Sequence, residues 1–192
     1  MKEGDGSDNL AIAWEYPGQT LEVIPARFTR VNLTCTMDPS CGAMLDTWKG
    51  ISGFSIADLR SGTNDLTDVP IQSTRLTDLL ESPSNIGNEY GSRMKGWLMP
   101  PETGYYVFWI ASDDNGEFWL STDSNPVNKV LACHQPWSVE AREWTRFPEQ
   151  QTSKPISLVA GQAYYYEVRE CAILYSQLSL GNSSSSSYLF LI

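Results

Sequence analysis

FWIASDDNGEFWLS, residues 108–121, sets two adjacent aspartates between two runs rich in aromatic and apolar residues. Its alternation reads as two strands, 104–112 and 117–121, joined at a hairpin tip. Asp114, Asn115 and Gly116 suit that tip, because these residue types tolerate the positive φ angles of tight hairpin turns. Asp113 is not explained in this way. Successive side chains of a strand point to opposite faces, so Asp113 and Asp114 share one ion only if the backbone bends sharply between them. The doublet is therefore either a solvated turn or a metal site.

Outward from this stretch, short strand candidates recur between Gly, Pro and Asn punctuation. Residues 9–14 read as a strand that stops at Pro17-Gly18, and residues 20–24 alternate weakly. Residues 25–47 show no clear period. Residues 56–60 and 77–80 each suit a helical turn or a short strand. Residues 91–99 alternate through Met94 and run into Pro100-Pro101. Residues 129–133 form a further strand, and 155–159 meets a Gly161-Gln162 turn answered by 163–168. These lengths and spacings predict an all-β fold, an antiparallel β-sandwich of jelly-roll type with few short helical turns. The serine run at 183–187 and the short apolar end at 188–192 read as a low-complexity tail.

The chain has 192 residues, 41% hydrophobic and 11% aromatic, enough for one β domain with a sizeable core. Its net charge of -10 without a Lys/Arg cluster argues against nucleic acid and anionic membrane surfaces, and is compatible with cation binding. No apolar run approaches the roughly 20 residues of a membrane span. Cys35, Cys41, Cys133 and Cys171 lack the short spacings of a zinc site, and their even number suits one or two disulfides. His134, the one histidine, reads as structural. Two sequons, Asn32-Leu33-Thr34 and Asn182-Ser183-Ser184, suit a glycoprotein. The opening MKEGDGSDNL has no apolar signal segment, so the chain reads either as cytosolic or as part of a longer protein.

WKGISG (48–53), GSRMKG (91–96), GYYVFWIASDDNGEFWLS (104–121) and PISLVAGQ (155–162), in this order, closely resemble the anthrax protective-antigen domain family, PA fourteen. That family also occurs in yeast flocculins and adhesins, in glycosidase inserts and in fibrocystin-like receptors. The resemblance covers roughly residues 45–168. It implies a β-sandwich and, as in many members, calcium-dependent carbohydrate binding. In those members two neighbouring aspartates joined by a cis peptide hold a calcium ion that grips sugar hydroxyls, and Asp113 and Asp114 fall at that place. Calcium suits the task, since it accepts about 6–8 oxygen ligands in loose geometry.

One departure concerns the order of the pieces. After Val168 the family continues into a strand resembling Gly-Asp-Asn-Leu-Ala-Val-Ala-Trp, whereas here a matching piece, KEGDGSDNLAIAW, stands at 2–14. The expected organisation is a terminal strand of a preceding or permuted repeat at 1–20, an entry segment at 21–44, the sandwich at 45–168 and an atypical tail at 169–192. Leu10, Ile12 and Trp14 share one face and suit a strand that fills the gap in cis, bringing Asp8 and Asn9 near Asp113 and Asp114 as a second calcium loop. Trp137, in a loop, is a candidate for stacking on a sugar face or for the core. The expected function is a calcium-dependent carbohydrate-binding module of an extracellular or cell-surface protein, with glycans and tandem copies of the domain as partners and no membrane insertion. The alternative is a structural or adhesive repeat without ligand. The chain is not expected to be an enzyme: it carries no G-x-S-x-G, H-E-x-x-H or phosphate loop, and chance alone accounts for a glycosidase-like pair among 23 acidic residues.

Overall fold

The computed structural model describes residues 9–34, 42–84, 86–87 and 89–172. Among them the strands are β1 (Leu10–Tyr16), β2 (Gln19–Val23), β3 (Thr29–Arg30), β4 (Ala43–Lys49), β5 (Gln72–Leu76), β6 (Tyr90–Leu98), β7 (Gly104–Ser112), β8 (Asn115–Ser121), β9 (Lys129–Gln135), β10 (Ile156–Leu158) and β11 (Tyr164–Ala172). Two short α-helices, α1 (Ile56–Gly62) and α2 (Pro148–Gln151), interrupt them. All strand pairs are antiparallel and form two sheets, one ordered β10-β7-β1-β2, the other β5-β4-β6-β11-β8-β9 with β3 also against β6. The fold is an all-β sandwich.

Residues 108–121 do not make a hairpin. β7 belongs to the four-stranded sheet and β8 to the larger one, so Asp113 and Asp114 carry the chain from sheet to sheet. The reason lies in the alternation itself. Phe108 and Ile110 on β7 and Phe118 and Leu120 on β8 all face inward, and the Phe108 and Phe118 rings meet across the core with centroids 5.1 Å apart. Two strands that face each other through their side chains cannot also pair edge to edge. None of residues 113–116 adopts a left-handed φ, in contrast to the tight turn expected from Asp114-Asn115-Gly116. Gly116 answers to space instead, since a Cβ there would lie 2.4 Å from Ser112 Oγ. The same correction applies at 155–168, where β10 joins β7 and β11 runs between β6 and β8.

β1 pairs with β7 along its length, Leu10 opposite Ser112 and Glu15 opposite Val107. Leu10, Ile12 and Trp14 enter the main core with Tyr106, Met94 and Tyr166, and all six are fully buried. Each large apolar side chain buried in this way contributes roughly 1.5–3 kcal/mol.

A second, smaller cluster lies on the outer face of the larger sheet. It holds Trp48, Ile51, Ile56, Leu59, Leu66 and Cys171. α1 closes over it, resolving the ambiguity at 56–60, because Ser55 and Asp58 form a capping box: Asp58 N–H donates to Ser55 Oγ at 3.1 Å and Ser55 N–H to Asp58 Oδ2 at 3.0 Å. Residues 77–80 form neither helix nor strand, although Leu79 bridges to Pro25. On the same outer face, Arg93 Nη2 (2.9 Å) and Lys95 Nζ (2.8 Å) converge on Asp46 Oδ2. Glu167 likewise meets Arg169 and Lys129.

Cys133 sits in the main core and Cys171 in the outer cluster, so the two thiols face opposite sides of one sheet and are not bonded to each other. Cys35 and Cys41 lie outside the described residues, as do the Asn182 sequon and the tail at 173–192. Burial pushes both described thiols up, Cys171 to about 12 with help from the nearby Asp58 carboxylate. At about pH 8 both are therefore expected to resist iodoacetamide in the native protein and to react once it is unfolded, as peptide mass mapping would show. Rapid native labelling of either would contradict its place in the packing.

Candidate functional site

β7 ends and β8 begins at one end of the sandwich, and their connection supplies the acid pair. The Asp113–Asp114 peptide bond is cis. Asp114 is 1% exposed and Asp113 is partly exposed. Asn9 stands directly before β1 and is buried beside them: its backbone carbonyl accepts from Asp113 N–H at 3.0 Å. Its side-chain amide donates through Nδ2 to the Val139 carbonyl at 3.2 Å, which directs the amide oxygen away from Val139. Asp8 lies outside the described residues.

The segment 136–139, after β9, packs at this end. Asn115 Nδ2 donates to the Pro136 carbonyl at 2.6 Å, and Val139 N–H to the Ser112 carbonyl at 3.2 Å. Trp137 lies outside the core, 51% exposed, and its indole stacks on Phe54, with ring centroids 5.8 Å apart and planes 20° from parallel. Sequence reasoning missed Phe54. The signal was present in Ser55-x-x-Asp58, which marks the start of α1 and places Phe54 immediately before its cap.

Glu170 is another carboxylate near this end, opposite Gly116 in the β11–β8 register. It is fully buried and accepts from Tyr90 OH at 3.1 Å and Ser92 Oγ at 2.9 Å, which makes it a structural acceptor inside the sandwich. His134 on β9 stands opposite Glu117 on β8.

The donor set of the acid pair is all oxygen: two carboxylates and the Asn9 amide, the chemistry of a hard cation such as calcium. Among the described residues no three His, Cys, Asp or Glu side chains come together to hold a metal ion. From the described residues, an ion at Asp113 and Asp114 would thus draw its further ligands from amide or backbone carbonyls.

The sequence model described as the PA14 domain matches residues 60–181. This chain belongs to the PA14 domain family. PA14 domains are carbohydrate-binding-type modules, non-catalytic in themselves, typically found in extracellular or cell-surface proteins. The match begins after β1 and so leaves Asn9 outside it. This PA14 chain is 38% identical over 104 residues to the N-acetyl-beta-glucosaminyl-glycoprotein 4-beta-N-acetylgalactosaminyltransferase 1 of Mus musculus, covering 52% of this chain and 10% of that protein. It is 27% identical over 92 residues to fibrocystin of Canis lupus familiaris, covering 42% of this chain and 2% of that one. The chain thus spans a tenth or less of the length of these two relatives. A solved beta-glucosidase from Kluyveromyces marxianus in complex with glucose is similar over 78% of this chain and 16% of that one, with 15% identity and a TM-score of 0.48.

Proposed function

We propose that this PA14 domain is a calcium-dependent carbohydrate-binding module of an extracellular or cell-surface protein. Asp113 and Asp114 bind the ion, Asn9 and Asp8 complete its loop, and Trp137 contacts the sugar. The observation that carries this reading is the juxtaposition at one end of the sandwich of a carboxylate doublet, a buried amide beside it and an exposed indole two residues beyond β9. Bound there, calcium supplies open positions for neutral hydroxyls, which the acidic surface by itself does not attract. The chain's own part is to hold the carboxylates: Asp113 is tied through its N–H to Asn9, and Asp114 is shielded from water by burial. Glycans of cell-surface or matrix conjugates are the proposed partners, in single or tandem copies of the domain.

Titration calorimetry with calcium chloride tests the reading. The native chain is expected to bind one ion saturably, and Asp113→Asn with Asp114→Asn to abolish the heat while keeping the β-sheet spectrum. Saturable calcium binding unchanged in that double variant would overturn the assignment. A second reading, a structural or adhesive repeat without ligand, is favoured by one observation: no three acidic or metal-ligating side chains converge among the described residues. It expects no calcium heat at all.

A further inference from the structure

We infer that Phe54 and Trp137 form a preorganised stacking platform beside the acid pair, built to receive the C–H face of a hexopyranose ring. Trp137 makes the contact and Phe54 is its positioning residue. The inference rests on the glycan reading above and adds to it a residue that the sequence did not suggest and a mechanism for holding the two rings in place.

The loop that carries Trp137 is fixed to an unusual degree. Four consecutive backbone carbonyls, those of Pro136, Trp137, Ser138 and Val139, each accept a side-chain hydrogen bond, from Asn115, Gln135, Arg146 and Asn9 in turn. Surface loops ordinarily leave such groups to water. Phe54 is held as firmly from both sides. The Gly53 carbonyl before it accepts from Cys171 Sγ at 3.2 Å, and Ser55 after it begins the capping box of α1. Gly53 has φ +118°, and a Cβ there would stand 2.4 Å from the Asp58 carboxylate, so only glycine suits the approach.

Both segments converge on one cross-strand pair. Cys171, which holds Gly53, pairs directly with Asn115 in the β11–β8 ladder, and Asn115 holds Pro136. The two rings thus bridge the start of β8, entering from the β11 side and the β9 side, next to the point where Asp114 leads into that strand. Phe54, itself 37% exposed, lies against the indole of Trp137, which is 51% exposed.

The chemistry of this surface selects its ligand. A rigid aromatic face costs little conformational entropy on binding and favours flat apolar patches. A pyranose presents such a patch of C–H groups rimmed by hydroxyls, and an oxygen-rich acid pair with its ion lies beside the platform to take the rim. The net charge of -10 disfavours sugars that carry their own negative charge.

The test uses the whole chain, calcium chloride alone and, separately, a panel of methyl hexopyranosides of galacto, gluco and manno configuration with their N-acetylhexosamine counterparts. Calorimetry and tryptophan fluorescence supply the readouts. Phe54→Ala and Trp137→Ala are each expected to weaken sugar binding roughly tenfold and to leave calcium affinity within about twofold. Phe54→Tyr, which keeps the stacked ring, is expected to restore sugar affinity to within about threefold. Arg146→Ala, an exposed change that frees the Ser138 carbonyl, is expected to fall between, and it serves if an aromatic variant does not fold. Sugar binding that none of these variants alters would overturn the platform while leaving the glycan reading intact. A native chain that binds calcium but no sugar of the panel would overturn the platform and the glycan half of that reading together. Sugar binding that persists without calcium, yet falls in Phe54→Ala, would sink the ion assignment and support the platform.

Discussion

A chain that starts at residue 18 is expected to be unfolded. That truncation removes β1, whose Leu10, Ile12 and Trp14 side chains are fully buried in the main core and whose backbone pairs with β7 through six successive residues. Trp14 alone packs against Phe28 and Tyr106, with ring centroids 5.4 Å from each. Replacing one buried Trp by Ala costs about 3–5 kcal/mol, and a buried Leu or Ile about 2–5 kcal/mol. A domain of this size is stable by roughly 5–15 kcal/mol, so loss of all three is comparable to the whole of it, before the lost β1–β7 backbone pairing is counted. The milder variant Trp14→Ala is expected to fold with its unfolding free energy lowered by about 3–5 kcal/mol in urea titration. Near-ultraviolet dichroism and amide NMR would report on the truncated chain, and a synthetic peptide of residues 1–17 should restore its spectrum. A truncated chain with native dispersion would show that β1 is an accessory to the sandwich.

Asp46→Ala is expected to be the most damaging single change on the outer face, at about 3–5 kcal/mol. Asp46 is buried on β4 directly opposite Arg93 on β6 and Ser73 on β5. Its Oδ1 accepts from Ser73 Oγ at 2.7 Å and its Oδ2 from Arg93 and Lys95, while the Arg93 guanidinium also lies 5.3 Å from the Trp48 ring. Removing the carboxylate strands a mostly buried guanidinium without its counter-charge, which costs more than the pair itself contributes. Burial pushes the Asp46 carboxyl up, but hydrogen bonds from Lys95, Arg93 and Ser73 outweigh it, and the group titrates below the usual carboxylate range. Glu167 behaves alike: burial raises it, and Arg169, Lys129 and Tyr165 lower it further. Both groups have a folded pKa below the unfolded one. Their stabilisation is therefore fully present above about pH 5 and lost as pH falls through the folded values. Chemical denaturation from about pH 7 down to about pH 2 should show this acid limb, and Asp46→Asn should flatten it. An unchanged limb in Asp46→Asn would assign acid sensitivity to other carboxylates.

The strands that matter most were legible in the residues, and their partners were not. Alternation in 104–112 and 117–121 marks β7 and β8 correctly, yet the same alternation is compatible with a hairpin or with two sheets face to face. Only the Phe108–Phe118 contact across the core decides between them. β4 was hidden for a different reason. Its outer face carries Asp46 and Trp48, both buried under neighbouring side chains and α1, so hydropathy shows no period of two although the strand is regular. At the site, the acid doublet stands out as a pair of charges in an apolar run. The hydrogen bonds that organise its surroundings, Asn115 to Pro136 and Asn9 to Val139, join residues 21 and 130 positions apart and leave no local trace.

The placement of β1 also sets a schedule for synthesis. Ile12 finds its partner, Ile110, about a hundred positions later, so on a ribosome adding roughly 5–20 residues per second the strand waits roughly 5–20 s for the edge it will join. During that interval Leu10-Ala-Ile-Ala-Trp14 is an unclaimed apolar segment of high β-propensity, and pairing over so long a separation is slow by its nature. Yield in a host cell should accordingly respond to temperature and to chaperones that hold nascent chains more than to the stability of the finished sandwich.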